Sequence, residues 1–416
     1  MQAGSAVQPA TVGVHGLWRS PVACGRSRRH VRGMPAFTLF MNPRHGTPGT
    51  VTLPAAGFRR AKTEITSWGG YAPTPLRDLA MPGMVRFKDE AGRFGLGSFK
   101  VLGSAYAVVN LLADALARQN VAQSAGSADL AAGRYGEATQ RITIASATDG
   151  NHGRAVAWTA ARFHCRCVIY LHETVSAGRQ AAIAEFGAAI RRVPGTYDDA
   201  VRACARDAGT MGWFIVSDTS WPGYTEVPRD IMQGYRLMAD EAADQWTGLS
   251  PTHVFIQGGV GGAAAAVAAQ MRARWGPGEG REPALVVVEP DRAACLLASA
   301  RAGRITSVTG RLDTIMAGLA CGEPSLLAWQ ELERSATAFM AIPDAAAIDT
   351  MRFLAGLGIV AGESGVAGLA GLRLAMADPG ARVTLGLGPE SRVLVFGTEG
   401  ATDTLLYESL IHGASG

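Results

Sequence analysis

The feature that most constrains this chain is a repeated unit. A short run rich in apolar and β-branched residues is followed by Gly, Asp or Ser and then by an Ala-rich stretch. Such runs stand at residues 142–144, 167–171, 190–193, 214–216, 254–256, 285–288 and 393–396. Runs this short and this apolar suit strands buried on both faces of a parallel sheet. Repeated strand–helix units at this spacing predict a doubly wound α/β architecture, with ligands held at the carboxyl ends of the strands. No internal repeat of solenoid length is present. At 416 residues the chain is long enough for two domains or one large α/β unit.

Charge and composition narrow the classes further. The formal net charge is +4, and Arg19, Arg26, Arg28, Arg29 and Arg32 contribute to it from an N-terminal stretch without acids. The rest is near neutral, so neither nucleic acid nor an anionic membrane is implied as a partner. Residues 1–34 lack apolar periodicity and are expected to be a disordered extension or the product of a start placed too early. Residues 122–140, small and polar, are expected to form a surface loop between two helices. Cys24, Cys165, Cys167, Cys204, Cys295 and Cys321 show no C-x-x-C spacing; they read as separate buried thiols, and no metal site is expected. No unbroken apolar run reaches the roughly 20 residues that span a bilayer. A soluble, cytoplasmic protein is expected.

Three segments carry chemistry. Val254-Phe255-Ile256 runs into Gln257-Gly258-Gly259-Val260-Gly261-Gly262 and an Ala-rich helix. Glycines let backbone N–H groups approach an anion, and a helix start adds a favourable dipole, which makes a phosphate cradle. A bare tight turn has the same composition. A dinucleotide site fits less well, because no acid follows at a strand end about 20 residues on. The second segment is Ser146-Ala147-Thr148-Asp149-Gly150-Asn151-His152-Gly153-Arg154. Thr148 or Asp149 can cap a helix there, and Gly150 can supply an unusual backbone angle. A cap with a core His152 accounts for part of the segment, yet it holds more polar groups than a cap needs. The third runs from Lys88-Asp89-Glu90 to Ser98-Phe99-Lys100. A lone lysine is usually a solvated surface residue. Lys100, however, follows Phe99 and opens an apolar helix, where a desolvated amine becomes a usable nucleophile toward an aldehyde.

In this order, K-D-E with S-F-K, D-G-N-H-G and G-G-V-G-G, the segments resemble the fold-type II pyridoxal phosphate enzymes, the group of threonine dehydratase and the tryptophan synthase β chain. Further matching segments are Ser217-Asp218-Thr219-Ser220-Trp221-Pro222-Gly223-Tyr224, Thr314-Ile315-Met316-Ala317-Gly318-Leu319-Ala320-Cys321-Gly322-Glu323-Pro324, Gly362-Glu363-Ser364-Gly365 and Thr398-Glu399-Gly400. With these the chain resembles the diaminopropionate ammonia-lyase family across roughly residues 37–410.

That resemblance implies two doubly wound open twisted sheets with the cofactor in the crevice between domains. The large domain would comprise residues 35–100 and 222–416, the smaller inserted one residues 101–221. It implies a carbon–nitrogen lyase that converts 2,3-diaminopropionate to pyruvate and two ammonia. A serine/threonine dehydratase of the same fold is the alternative; Asp149 and Asp218 speak against it. Lys100 would hold pyridoxal phosphate as a Schiff base, and Asn151 would face its phenolic oxygen. Gly258, Gly259, Val260, Gly261 and Gly262 would hold the phosphate, and Thr398 would face the pyridine nitrogen. A hydroxyl at that nitrogen cannot keep it protonated as a carboxylate would, which biases the chemistry toward β-elimination. Asp149 and Asp218 would bind substrate and move protons. An aspartate on the face opposite Lys100 would serve the D-isomer, and Lys100 the L-isomer. His152 is expected to pack at the domain interface and Arg154 to make a helix-start contact. Gly97-Ser98, Gly397 and an extra glycine in the 258–262 loop depart from the family pattern and bear on fine specificity. A homodimer with an amino-acid substrate is expected.

Overall fold

The computed structural model describes residues 36–46, 51–148, 150–276 and 282–413. The extension expected at residues 1–34 lies outside the described residues. The strands are β1 (Thr38–Met41), β2 (Leu76–Leu79), β3 (Met84–Asp89), β4 (Thr143–Thr148), β5 (Arg166–His172), β6 (Ala189–Val193), β7 (Phe214–Ile215), β8 (His253–Gln257), β9 (Ala284–Pro290), β10 (Ala338–Ile342) and β11 (Arg392–Gly397). Every run read from the sequence falls on one of them. A parallel four-stranded sheet has the order β6-β5-β4-β7, and a seven-stranded sheet has the order β1-β10-β9-β8-β11-β3-β2.

The larger sheet adds two edge strands that the sequence reading did not anticipate. Its edge strands β1 and β2 run antiparallel to β10 and β3. Both edges are partly exposed, so neither carries the unbroken apolar run that marks a strand buried on both faces. β3 escaped notice for another reason: Lys88 sits fully buried in it, its Nζ 2.8 Å from Glu241. The inner strands behave as expected. Val393, Leu394, Val395 and Phe396 of β11 are buried between β8 and β3.

The helices that matter for the site are α1 (Lys100–Arg118), α2 (Asn151–Arg162), α3 (Ala177–Ala184), α4 (Tyr197–Met211), α5 (Glu226–Gln245), α6 (Gly262–Trp275), α7 (Cys295–Ala302) and α8 (Ala367–Ala377). Helices α2 and α4 pack on the smaller sheet, and α8 packs on β8 to β11 of the larger. By length and composition α1 could cross a membrane, although polar residues interrupt its apolar run. Its apolar residues Val101, Leu102, Ala105, Val108 and Leu112 are instead buried against α5 and α2. It is a core helix. The segment at 122–140, expected as a loop between helices, holds two helical turns, Ser127–Ala131 and Gly136–Thr139, and leads into β4. Leu130 anchors it in the core.

Close packing of α1 on α5 fixes the start of α1, where Lys100 stands. A Cβ added at Gly103 would lie 2.5 Å from the Ile231 carbonyl oxygen, and one at Gly234 would lie 2.2 Å from that of Leu102. Backbone cannot yield as a flexible side chain can. Gly234→Ala is therefore expected to lower stability by about 1–3 kcal/mol through overpacking, read as an earlier urea midpoint with an unchanged slope.

Candidate active site

The expected site residues that are described converge at the carboxyl ends of parallel strands. Lys100 follows β3, Asn151 follows β4, Asp218 follows β7, Gly258 to Gly262 follow β8, and Thr398 follows β11. All of them but Gly261 line one cleft. Asp149, also expected in the site, lies outside the described residues.

Lys100 is the first residue of α1. Its Nζ lies 2.6 Å from Asp218 Oδ2 and over the rings of Phe99 and Tyr235, 5.4 and 5.7 Å from their centroids. The amine thus rests on an apolar floor with an acid beside it. Asp218 is buried. Burial raises its pKa, but the Lys100 ammonium and His152 more than offset this, and the carboxyl titrates at about 2. It is a carboxylate throughout the neutral range.

His152 does more than pack between domains. Its Nε2 donates to the Val216 carbonyl at 2.9 Å, which leaves Nδ1 to accept from Ser104 Oγ at 3.1 Å and to face Asp218 Oδ2 at 3.8 Å. Arg154 Nη1 donates to the Leu96 carbonyl at 3.1 Å, tying α2 to the loop that ends at Lys100. Gly150 has φ +154 and ψ −80, a conformation open to glycine and strained for other residues. Thr148 Oγ1 accepts the N–H groups of Gly150 and Gly153, so the threonine satisfies the helix start as its sequence position suggested.

The glycine loop has the shape of an anion cradle. Gly261 has φ +97, and a Cβ there would lie 3.0 Å from Ala328 Cβ. α6 starts directly after it and presents its first N–H groups toward the cleft end of β8. Beneath the loop, Glu289 accepts the N–H groups of Leu296 and Leu297 at 2.8 Å each. Burial pushes its carboxyl up to about 8 against the pull of those N–H groups, which keeps it neutral under an anion site.

Thr398 is buried and accepts a hydrogen bond from Gln257 Nε2, which leaves its own O–H to donate. Gln257 Oε1 is buried without a hydrogen-bond partner among the described residues. Asn151 Nδ2 donates to Glu399. A desolvated amine, a glycine cradle at a helix start, a hydroxyl donor and an orphaned amide oxygen around one cleft fit pyridoxal phosphate.

Sequence reasoning passed over several residues of this cleft. Gln257 and Glu399 each adjoin a residue it singled out, and adjacency at a strand end was the available signal. Glu363 and Ser364 lay in a quoted segment without a role. Arg179, which lines the cleft and pairs with buried Glu363, had no local signal at all.

The fold and this cleft together define a fold-type II pyridoxal phosphate site. The family model described as pyridoxal-phosphate dependent enzyme matches residues 68–395. The diaminopropionate ammonia-lyase of Escherichia coli (strain K12) is 39% identical over 358 residues, covering 82% of this chain and 88% of that one. The crystal structure of the E. coli enzyme with an aminoacrylate-PLP azomethine reaction intermediate matches with a TM-score of 0.81 at 34% identity, covering 91% of this chain and 97% of that one. The same enzyme in complex with D-serine gives a TM-score of 0.81 at 34% identity, over 90% and 96% of the two chains. The chain belongs to the pyridoxal-phosphate-dependent enzymes and, within them, to the diaminopropionate ammonia-lyase family.

Proposed function

We propose that this chain eliminates ammonia from 2,3-diaminopropionate, which with one water yields pyruvate and two ammonia. The observation that carries the reading is the Lys100–Asp218 pair at 2.6 Å, set in the same cleft as a glycine cradle, Thr398 and Asn151. When bound, pyridoxal phosphate supplies the electron sink that labilises the Cα proton and expels the group on Cβ.

The chain's own residues supply the rest. Lys100 would hold the cofactor covalently, and its amine, once released, would take the Cα proton of the L-isomer. Asp218, ionised at neutral pH, would hold the Lys100 ammonium at 2.6 Å and, once Lys100 is engaged with the cofactor, attract the ammonium of a diamino substrate. Thr398 would donate its hydroxyl to the pyridine nitrogen, and Asn151 would donate to the phenolic oxygen. Gly258 to Gly262 would bind the phosphate through backbone N–H groups. Asp149, whose role rests on the sequence resemblance, would take the Cα proton of the D-isomer.

The test is pyruvate release from both isomers of 2,3-diaminopropionate, from serine and from threonine, in wild type and Asp149→Asn. Diaminopropionate is expected to turn over fastest, and the substitution to slow the D-isomer more than the L-isomer. Faster turnover of serine would replace this reading with a dehydratase. Equal activity of Asp149→Asn on the two isomers would remove the two-base scheme. The resemblance also supports a cytoplasmic homodimer with an amino acid as its small-molecule partner.

A further inference from the structure

Glu399 stands one residue beyond Thr398 and is buried, yet the reaction scheme leaves it without a part. Its two oxygens are used differently. Oε1 accepts the N–H groups of Ser364 at 2.9 Å and Gly365 at 3.2 Å, which clamps the carboxylate to the 362–366 turn. Oε2 takes the remaining contact, from Asn151 Nδ2. Both Asn151 and Glu399 line the cleft.

An asparagine amide can bind in two orientations that differ only in which end presents N–H and which presents oxygen. An oxygen that accepts admits just one of them: the NH₂ end must face Glu399, as Nδ2 does. One N–H of that group is then spent on Glu399, and the other is held at a fixed angle on the cleft side. An aromatic oxygen that carries negative charge is an acceptor and requires that N–H, not Oδ1. We infer that Glu399 is a positioning residue, which locks the amide of Asn151 so that an N–H rather than an oxygen meets the phenolic oxygen of pyridoxal phosphate. This rests on the reading of Asn151 given above.

Glu399→Gln isolates the effect, because its Oε1 can still accept from Ser364 and Gly365. The new NH₂ faces the NH₂ of Asn151, donor against donor, and the asparagine turns over to relieve the clash. The readouts are the dissociation constant of the apo-protein for pyridoxal phosphate, measured by fluorescence titration, and the visible absorption maximum of the reconstituted protein. Asn151→Ala and the double variant complete a cycle, and Glu399→Ala is the second variant should the glutamine protein be insoluble.

Glu399→Gln is expected to weaken cofactor binding by about tenfold or more and to move the absorption maximum, as loss of a hydrogen bond to a charged group would. The double variant is expected to bind within about twofold of Asn151→Ala alone, because two residues acting through one contact are not additive. If Asn151→Ala weakens binding while Glu399→Gln leaves it at the wild-type value, the positioning role is overturned and the reading of Asn151 stands. Fully additive losses overturn it too, since Glu399 would then act independently. If Asn151→Ala itself binds as wild type does, the reading of Asn151 fails and takes this inference with it.

Discussion

Lys100→Ala is expected to abolish pyruvate formation from 2,3-diaminopropionate, with a loss of at least about 10⁴-fold, and to remove the visible absorption of covalently held cofactor. The size follows from two duties placed on one atom. Nζ is proposed to hold the cofactor and then to take the Cα proton, so alanine removes both steps at once. The surroundings favour an amine that reacts: it lies over Phe99 and Tyr235 and opens a helix whose next residues are buried. Lys100→Arg separates chemistry from structure. A guanidinium can keep the ion pair with Asp218, but it stays protonated and is no nucleophile at neutral pH. Arginine is therefore expected to restore the thermal midpoint and none of the activity. Activity within tenfold of wild type in either variant would remove Lys100 from the reaction.

Asp218→Asn is expected to reduce kcat/KM for 2,3-diaminopropionate by about 10- to 10²-fold, as loss of a buried charge that pairs with an ammonium does. Asparagine keeps the shape but carries no charge to pair with an ammonium at the position where Lys100 Nζ lies 2.6 Å away. A stability effect accompanies the loss, and its pH window follows from the sign of the shift. The native carboxyl titrates at about 2, below its ordinary 3.8. Ionised Asp218 therefore stabilises the fold above about pH 4, and that contribution disappears as pH falls toward 2. Urea unfolding is expected to separate wild type from Asp218→Asn by a constant margin between pH 5 and 8, with the gap closing only in strong acid. A gap that widened on acidification would contradict the assigned pairing.

Much of this protein is legible in one dimension because parallel strands buried on both faces must be apolar throughout. The runs at 254–256 and 393–396 announced β8 and β11, and the residues just beyond them announced the cleft, since strand ends in such sheets point at ligands. What escaped did so for physical reasons. β1 and β2 are edge strands, half exposed, with no continuous apolar face. β3 hides behind Lys88, a charge that Glu241 pairs with and that the Thr74 carbonyl and Gln245 also bind.

The candidate site divides in the same way. Lys100, Asn151, the Gly258–Gly262 loop and Thr398 each stand in a local pattern whose chemistry can be read from neighbours in the chain. Their partners cannot. Asp218 lies 118 residues from Lys100, Glu399 lies 248 residues from Asn151, and Glu363 lies 184 residues from Arg179. By itself the sequence determined the fold class, through hydrophobic periodicity and glycine-rich turns, and the family, through its matching motifs, because both are local constraints. Only the tertiary structure decided which carboxylate touches which amine or amide. A charge pair or an amide lock is a matter of a few ångströms in space, and it leaves no mark on the spacing of its members along the chain.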